Sequence, residues 1–263
     1  MIEEERYKIV LETKEPFRVG GTKDPLSGAE NPVAIVGSRV VIPGPSLKGA
    51  YRAEVEQYLI EKYYDRGNKK WPDDKKPLQP CIPATRLSID EQELVNKQRY
   101  RGESCHYPCD QRPGKCGSDV HTICPVCYLL GAPGLNGFLR VPFLYSDVSA
   151  GELYSARIDR AKGIVAEGTN RPFQVVPDGT VFKGDLTVVR KDFVRNLEFG
   201  KPRILKEVTK GDKWLELGEW TPEKIASELI LNRLKNIKLL GGFKSKGCGE
   251  VKINVSLITV PRG

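Results

Sequence analysis

The 263-residue sequence contains no run of about 18 uncharged apolar residues, which excludes a transmembrane helix. Its first residues, Met1-Ile2-Glu3-Glu4-Glu5-Arg6, are acidic where a signal peptide is basic and then apolar. The expectation is a cytoplasmic protein with no membrane partner. There is no internal repeat and no low-complexity tract. No Gly-x4-Gly-Lys-Ser/Thr occurs, so there is no Walker A loop, and Gly247-Cys248-Gly249 lacks the third glycine, at Lys252, of a dinucleotide fingerprint. Histidine is scarce: His106 and His121 are the only two.

What is present is an ordinary globular composition, 39% hydrophobic and 29% charged, sufficient for one large elaborated domain or two small ones. Gly (26) and Pro (19) are frequent and spread out, as in a domain with many turns. The net charge is +8, and most of the excess lies in residues 201–263. A basic C-terminal quarter fits a polyanion partner, and equally a lysine-rich solubilising surface.

Alternation predicts a strand over Arg6–Glu12, with Tyr7, Ile9 and Leu11 on one face, and a second over Arg39–Ile42. Ser46 reads as the N-cap of a helix through about Tyr64, with Leu47, Ala50, Tyr51, Val55, Tyr58 and Leu59 on its apolar stripe. A hairpin is expected from Phe173–Val176 and Val181–Val189 about Pro177-Asp178-Gly179. Thr221-Pro222-Glu223 opens a helix carrying Ile225, Leu229, Leu234 and Ile237, stopped by Gly241-Gly242. Val251, Ile253, Val255 and Leu257 close the chain as a strand. This order favours an α+β sandwich, most simply ferredoxin-like or RRM-like. Residues 1–263 form one domain, interrupted by an insertion over 65–128.

Five of the seven cysteines lie between Cys105 and Cys127, knotted by prolines and glycines. Thiolates this close in sequence can converge on one tetrahedral ion. Cys124-Pro125-Val126-Cys127 has the form of a zinc-knuckle half, and Cys109 with Cys116 supplies the other; Cys105 and His106 are alternates. Disulfides and a redox pair are the rival readings. A closed four-ligand zinc site is structural and would staple the insertion. Cys81 and Cys248 read as ordinary buried thiols.

Lys48 and Arg52 are four apart and stack near the start of the first helix, where they oppose its dipole and repel each other. A phosphate at that end would reverse both terms. Gly49 costs about 1 kcal/mol against alanine there, unless a backbone approaches it closely. The alternative is a solvated basic face. Gly241 to Gly249 holds Phe243, Lys244, Ser245 and Lys246, and can cradle a phosphodiester or simply form a flexible turn.

Together, Ile42-Pro43-Gly44-x-Ser46-Leu47-Lys48-Gly49-x2-Arg52, Cys124-x2-Cys127-x-Leu129-Leu130-Gly131 and Gly241-Gly242-x-Lys244-Ser245-x-Gly247-x-Gly249 resemble the RAMP superfamily of CRISPR effector proteins. Arg157-Ile158-Asp159-Arg160, leading to Val176-Pro177-Asp178-Gly179-Thr180-Val181-Phe182, is similar to the backbone subunits of type III complexes. The resemblance covers nearly the whole chain. It implies an RRM-like palm that binds guide RNA and stacks head-to-tail with copies of itself and other type III subunits. It implies a thumb, here 159–171, that interrupts the guide–target duplex, and a zinc-bearing lid in the Cys-rich insertion. By position Lys48, Gly49, Arg52, Lys244, Ser245 and Lys246 become guide-RNA contacts, and Arg157 and Arg160 thumb contacts.

A stand-alone RNA-processing endoribonuclease is the rival. Relatives of that kind use histidine for acid–base work, and both histidines here lie in the Cys-rich insertion. A binding module unrelated to CRISPR is the third class. Active relatives also cut target RNA with Mg²⁺, using an aspartate in the loop before Ile-Pro-Gly. The resemblance puts Glu30 at that position, with Asp24 the one aspartate nearby; the alternative is a subunit that only holds RNA.

Overall fold

The computed structural model describes residues 1–21, 31–84, 86–102, 104–106, 123–203 and 212–259. Strand β1 (Ile2–Thr13) buries Tyr7, Ile9 and Leu11, the face its alternation predicts. After β2 (Ile35–Val36) and β3 (Arg39–Ile42) comes α1 (Gly44–Tyr63). This helix starts earlier than Ser46: Pro43 is its N-cap and Pro45 lies in the first turn, where a fixed φ suits the helix and a missing N–H costs nothing. Leu47, Tyr51, Val55 and Leu59 form its buried stripe.

A capping box of Ser88 and Glu91 begins α2 (Ile89–Asn96), and Cys124 caps α3 (Pro125–Leu130). Strands β4 (Leu139–Arg140), β5 (Leu144–Ser146), β6 (Gly151–Ser155), β7 (Arg171–Val175), β8 (Val181–Asp192) and β9 (Leu197–Glu198) follow. Thr221 caps α4 (Pro222–Lys224), which widens into a π-helical stretch (Ile225–Leu231) and returns to α5 (Asn232–Asn236). The wide stretch sits where the buried Tyr51 hydroxyl donates to the Leu229 carbonyl at 2.8 Å, tying it to α1. Strand β10 (Val251–Leu257) comes last.

The main sheet is antiparallel in the order β10-β1-β8-β5-β3-β2, with β4 and β9 also pairing β8. Its kernel β10-β1-β8-β5, with α1 among the elements between β1 and β5 and the α4-to-α5 segment between β8 and β10, has the ferredoxin-like connectivity. The fold is α+β, as the order of elements predicts. Every residue of α3 is buried, and Val126 to Leu130 share one core cluster with Trp71, Leu78, Cys81 and Cys105.

The expected hairpin about Pro177-Asp178-Gly179 does not form. Strand β7 pairs with β6 in a separate two-stranded sheet, while β8 pairs with β1. Thr13 at the end of β1 is the cause. Its hydroxyl donates to the Pro177 carbonyl and accepts from the Thr180 N–H, and its carbonyl accepts from the Gly179 N–H at 2.8 Å. The turn is therefore held by a third strand and passes the chain from one sheet to the other. The second helical segment also ends at Asn236, before Gly241-Gly242. Gly241, at φ +87°, lies instead against the Arg18 carbonyl, a contact with no room for a Cβ.

Arg203 and Asp212 form a fully buried, bidentate ion pair, with Nε–Oδ2 and Nη2–Oδ1 both 2.9 Å. The guanidinium also donates to the Asn136 carbonyl at 3.0 Å and lies over the Tyr128 ring. Each nitrogen of the guanidinium thus has an acceptor. Asp212→Ala would strand the arginine charge among Tyr128, Phe138 and Trp214, and is expected to cost about 3–5 kcal/mol in urea unfolding.

Candidate metal centre and nucleic-acid interface

Four cysteines converge in the interior. Cys81 follows the first 3₁₀ turn and bridges to Arg101; Cys105 follows Arg101 in the chain; Cys124 and Cys127 sit at the start of α3. Their Sγ atoms all lie within 4.8 Å of one another, with Cys81–Cys127 at 3.4 Å and Cys124–Cys81 at 3.8 Å. One ion with metal–sulfur bonds of about 2.3 Å in tetrahedral geometry requires sulfur–sulfur edges of about 3.8 Å. The site has that size. Backbone donors point into it as well: the Cys127 N–H reaches Cys124 Sγ at 3.4 Å, and the Cys124 N–H reaches Cys105 Sγ at 3.3 Å.

Electrostatics favour a cation here. Burial opposes ionisation of Cys124, but hydrogen bonds from the other three thiols and the Arg101 charge outweigh it and bring its thiol well below the usual range. Hydrogen bonds with Cys124, Cys127 and Cys81, then burial and the charge on Cys124, hold the Cys105 thiol far above its usual value. Four thiols cannot ionise together in a dry pocket unless a divalent cation offsets the charge. Four buried cysteines this close can hold a metal ion such as zinc.

Among the described residues the close set is Cys81, Cys105, Cys124 and Cys127. Cys124 and Cys127 take part, Cys105 joins them as the alternate, and Cys81 is a fourth member rather than an ordinary buried thiol. Cys109 and Cys116 lie outside the described residues. His106 is exposed and not one of the four; its Nδ1 is 3.1 Å from the Ser104 carbonyl. Cys248 is buried but elsewhere, in the glycine-rich loop. Cys81 escapes a spacing argument because it precedes the cluster by a long segment; the flanking Pro80 and Pro83 are its one local signal.

Both cations of the first basic motif have partners within the chain. Arg52 Nε is 2.7 Å from Glu56 Oε1, and its Nη2 faces the Cys81 carbonyl at 3.1 Å and the sulfurs of Cys127 and Cys81 at 3.7 and 3.8 Å. Burial would lower the arginine pKa, but the charges on Cys127 and Glu56 raise it. Burial pushes the Glu56 carboxyl up to about 7 despite Arg52. Lys48 Nζ donates to the Leu130 carbonyl at the end of α3, at 2.9 Å. The mutual repulsion expected of Lys48 and Arg52 is therefore relieved without a phosphate.

Lys48 and Gly49 remain exposed at the rim of a cleft of about 750 Å³ also lined by the half-buried Arg52 and by Pro83, Arg140 and Arg195. Arg195 is held by Asp192 at 2.7 Å and Arg140 by Glu4 at 2.7 Å. These two arginines escaped the sequence motifs because they come from β4 and the turn after β8. A Cβ on Gly49 would meet nothing within 4 Å, so no contact inside the chain requires that glycine.

The glycine-rich loop is closed at its base by the Leu239–Glu250 bridge and pinned by Gly242 N–H to the Arg18 carbonyl at 2.8 Å. Lys244, Ser245 and Lys246 stand exposed on a 3₁₀ turn. Phe243, at φ +60°, lies against Arg18 and Lys246, 4.7 and 4.6 Å from its ring, and meets the Phe173 ring at 5.0 Å. Arg157 and Arg160 are exposed on the arm between β6 and β7, beside the isolated Ile158–Val165 bridge. Glu30 and Asp24 lie outside the described residues.

The purified chain is expected to carry about one metal ion. Cys81→Ser should reduce metal content as much as Cys124→Ser, and Cys248→Ser should leave it unchanged, as read by elemental analysis.

Among curated proteins none matches this chain. No helix among the described residues is long and apolar enough to cross a membrane. A model of the RAMP superfamily matches residues 10–252, a span running from β1 into β10 that takes in the cysteine centre, the cleft and the glycine-rich loop. The chain belongs to the RAMP superfamily.

Proposed function

We propose that this chain is a guide-RNA-binding backbone subunit of a type III CRISPR interference complex, stapled by zinc. Membership of the RAMP superfamily supports a CRISPR-associated RNA-binding role. The observation that carries the reading to particular residues is Gly49. A helix-interior glycine without an internal contact lowers stability, yet it stands beside Lys48 on a cleft that also holds Arg140 and Arg195. An RNA backbone lying against α1 would use the space that a Cβ would fill.

Lys48, Lys244 and Lys246 are then phosphate contacts, with Ser245 and the exposed loop around it as donors. Arg157 and Arg160 on the arm would face the guide–target duplex. The arm also exposes Leu153, Tyr154, Ile158, Ile164 and Val165, and the β2 edge of the main sheet exposes Ile35 and Val36. Two distinct apolar surfaces suit head-to-tail stacking with further copies, since a heterologous contact needs two different patches. The soft, four-sulfur donor set is the reason to name zinc, with Cys81, Cys105, Cys124 and Cys127 holding it.

The test is binding of a short single-stranded RNA over a salt series. Lys48→Ala, Lys244→Ala and Lys246→Ala should each weaken RNA of every sequence about equally and lower the slope of log K against log salt by about 0.7. Gly49→Ala should stabilise the free protein by about 1 kcal/mol and still weaken RNA binding. Unchanged RNA affinity across these variants would defeat the reading. Target cleavage is tested in the assembled complex with Glu30→Ala and Asp24→Ala; regularly spaced cuts that survive both would remove these carboxylates from the chemistry.

A further inference from the structure

Two guanidinium groups approach the sulfurs. Arg52 comes from α1, with Nη2 near Cys127 and Cys81 and bonded to the Cys81 carbonyl. Arg101 comes from the segment before Cys105, with Nη2 2.8 Å from that sulfur. Both are largely withdrawn from water. A divalent ion bound by four thiolates carries a net charge of about −2, which is costly in a dry interior unless compensated. Two positive charges stand against the sulfurs and offset that excess, in part where Glu56 beside Arg52 is ionised.

The orientation of Arg52 is itself enforced. Glu56 accepts the Tyr100 hydroxyl on Oε2 at 3.2 Å and pairs with Arg52 Nε through Oε1 at 2.7 Å. Tyr100, Glu56 and Arg52 thus form a relay that turns one edge of the guanidinium towards a carboxylate and the other towards the sulfurs. A planar fork can serve both at once; a lysine ammonium in its place would carry the charge without the fixed two-sided geometry. Such outer groups commonly set metal affinity as strongly as a ligand's own environment does.

We infer that Arg52 and Arg101 are the counterions of a dianionic metal tetrathiolate at Cys81, Cys105, Cys124 and Cys127, with Glu56 and Tyr100 positioning Arg52, so that Arg52 serves the metal rather than RNA phosphate. This rests on reading the four cysteines as a metal centre. It separates two basic residues that the sequence motif presents together. Both line the cleft, but Lys48 is exposed at its rim while the guanidinium of Arg52, one turn on, is turned to Glu56, the Cys81 carbonyl and the sulfurs.

The experiment measures zinc affinity of the full chain by competition with a chromophoric chelator, and RNA binding of the same preparations over a salt series. Arg52→Ala and Arg101→Ala should each weaken zinc about 10–100-fold, Glu56→Gln should weaken it less, and Arg52→Lys should recover only part of the loss. With zinc saturating, Arg52→Ala should keep the wild-type salt slope for RNA, whereas Lys48→Ala lowers it. Cobalt(II) loaded in place of zinc reports whether four thiolates remain bound in each variant. Should Arg52→Ala fail to fold, Arg52→Lys and Glu56→Gln carry the same two readouts. Wild-type zinc affinity in the arginine variants, or a salt slope that falls in Arg52→Ala as it does in Lys48→Ala, would overturn the inference. Wild-type protein that binds no stoichiometric metal would overturn the metal reading beneath it, a separate result from either.

Discussion

Four sulfur atoms held within 4.8 Å in a dry interior are the constraint to which the surrounding structure answers. Neutral thiols would pack there as small apolar groups and would need no arginine. Ionised sulfurs need cations, and cations reach an interior only on long side chains anchored at both ends. Arg52 is anchored by Glu56 and the Cys81 carbonyl, and Arg101 by its place in the bridge to Cys81. The centre therefore joins three stretches distant in the chain: α1, the segment from Cys81 to Cys105, and α3. A core made of leucines alone would join them too, but would specify their spacing less sharply.

The same joint determines what α1 presents outward. Its apolar stripe of Leu47, Tyr51, Val55 and Leu59 lies on the core, and Tyr51 reaches across to the second helical segment. One flank is committed to the sulfurs through Arg52 and Glu56. Lys48 and Gly49 at the N-terminal end are left for the cleft, with Lys48 braced on the last carbonyl of α3. Because α3 begins at the Cys124 cap and ends at Leu130, the helix that places two sulfurs also sets where the Lys48 ammonium rests. Structure and surface chemistry are coupled through a helix of six residues.

Much of this was legible in the residues themselves. Period-two alternation locates β1 and β10, and period-3.6 spacing locates α1 with its buried stripe, because both signals are local and each element buries one face. Pro222 and Thr221 mark the start of the second helical segment for the same local reason. The form Cys124-Pro125-Val126-Cys127 announces a pair of sulfurs at a helix start, since proline and the N-cap geometry are written in four consecutive residues. The motifs about Lys48, Cys124 and Gly241 also carry the resemblance to the RAMP superfamily, to which the chain belongs.

Other features depend on contacts between residues far apart in the chain, and no window of sequence contains them. Alternation identifies β7 and β8 as strands but says nothing of partners; Thr13, more than 160 positions away, takes the turn between them and sends each to a different sheet. Cys81 joins the other three cysteines through packing, with the bridge to Arg101 holding its segment beside the one that leads to Cys105. Arg52 and Lys48 look equivalent on a helical wheel and both line the cleft, yet differ because the Arg52 guanidinium meets Glu56 and buried sulfur while the Lys48 ammonium rests on the Leu130 carbonyl. Residue type and spacing determined which groups could ionise, pair or bind a metal; which of them meet was decided by tertiary packing, since charge, hydrogen bond and coordination are interactions at a few ångströms, whatever the separation along the chain.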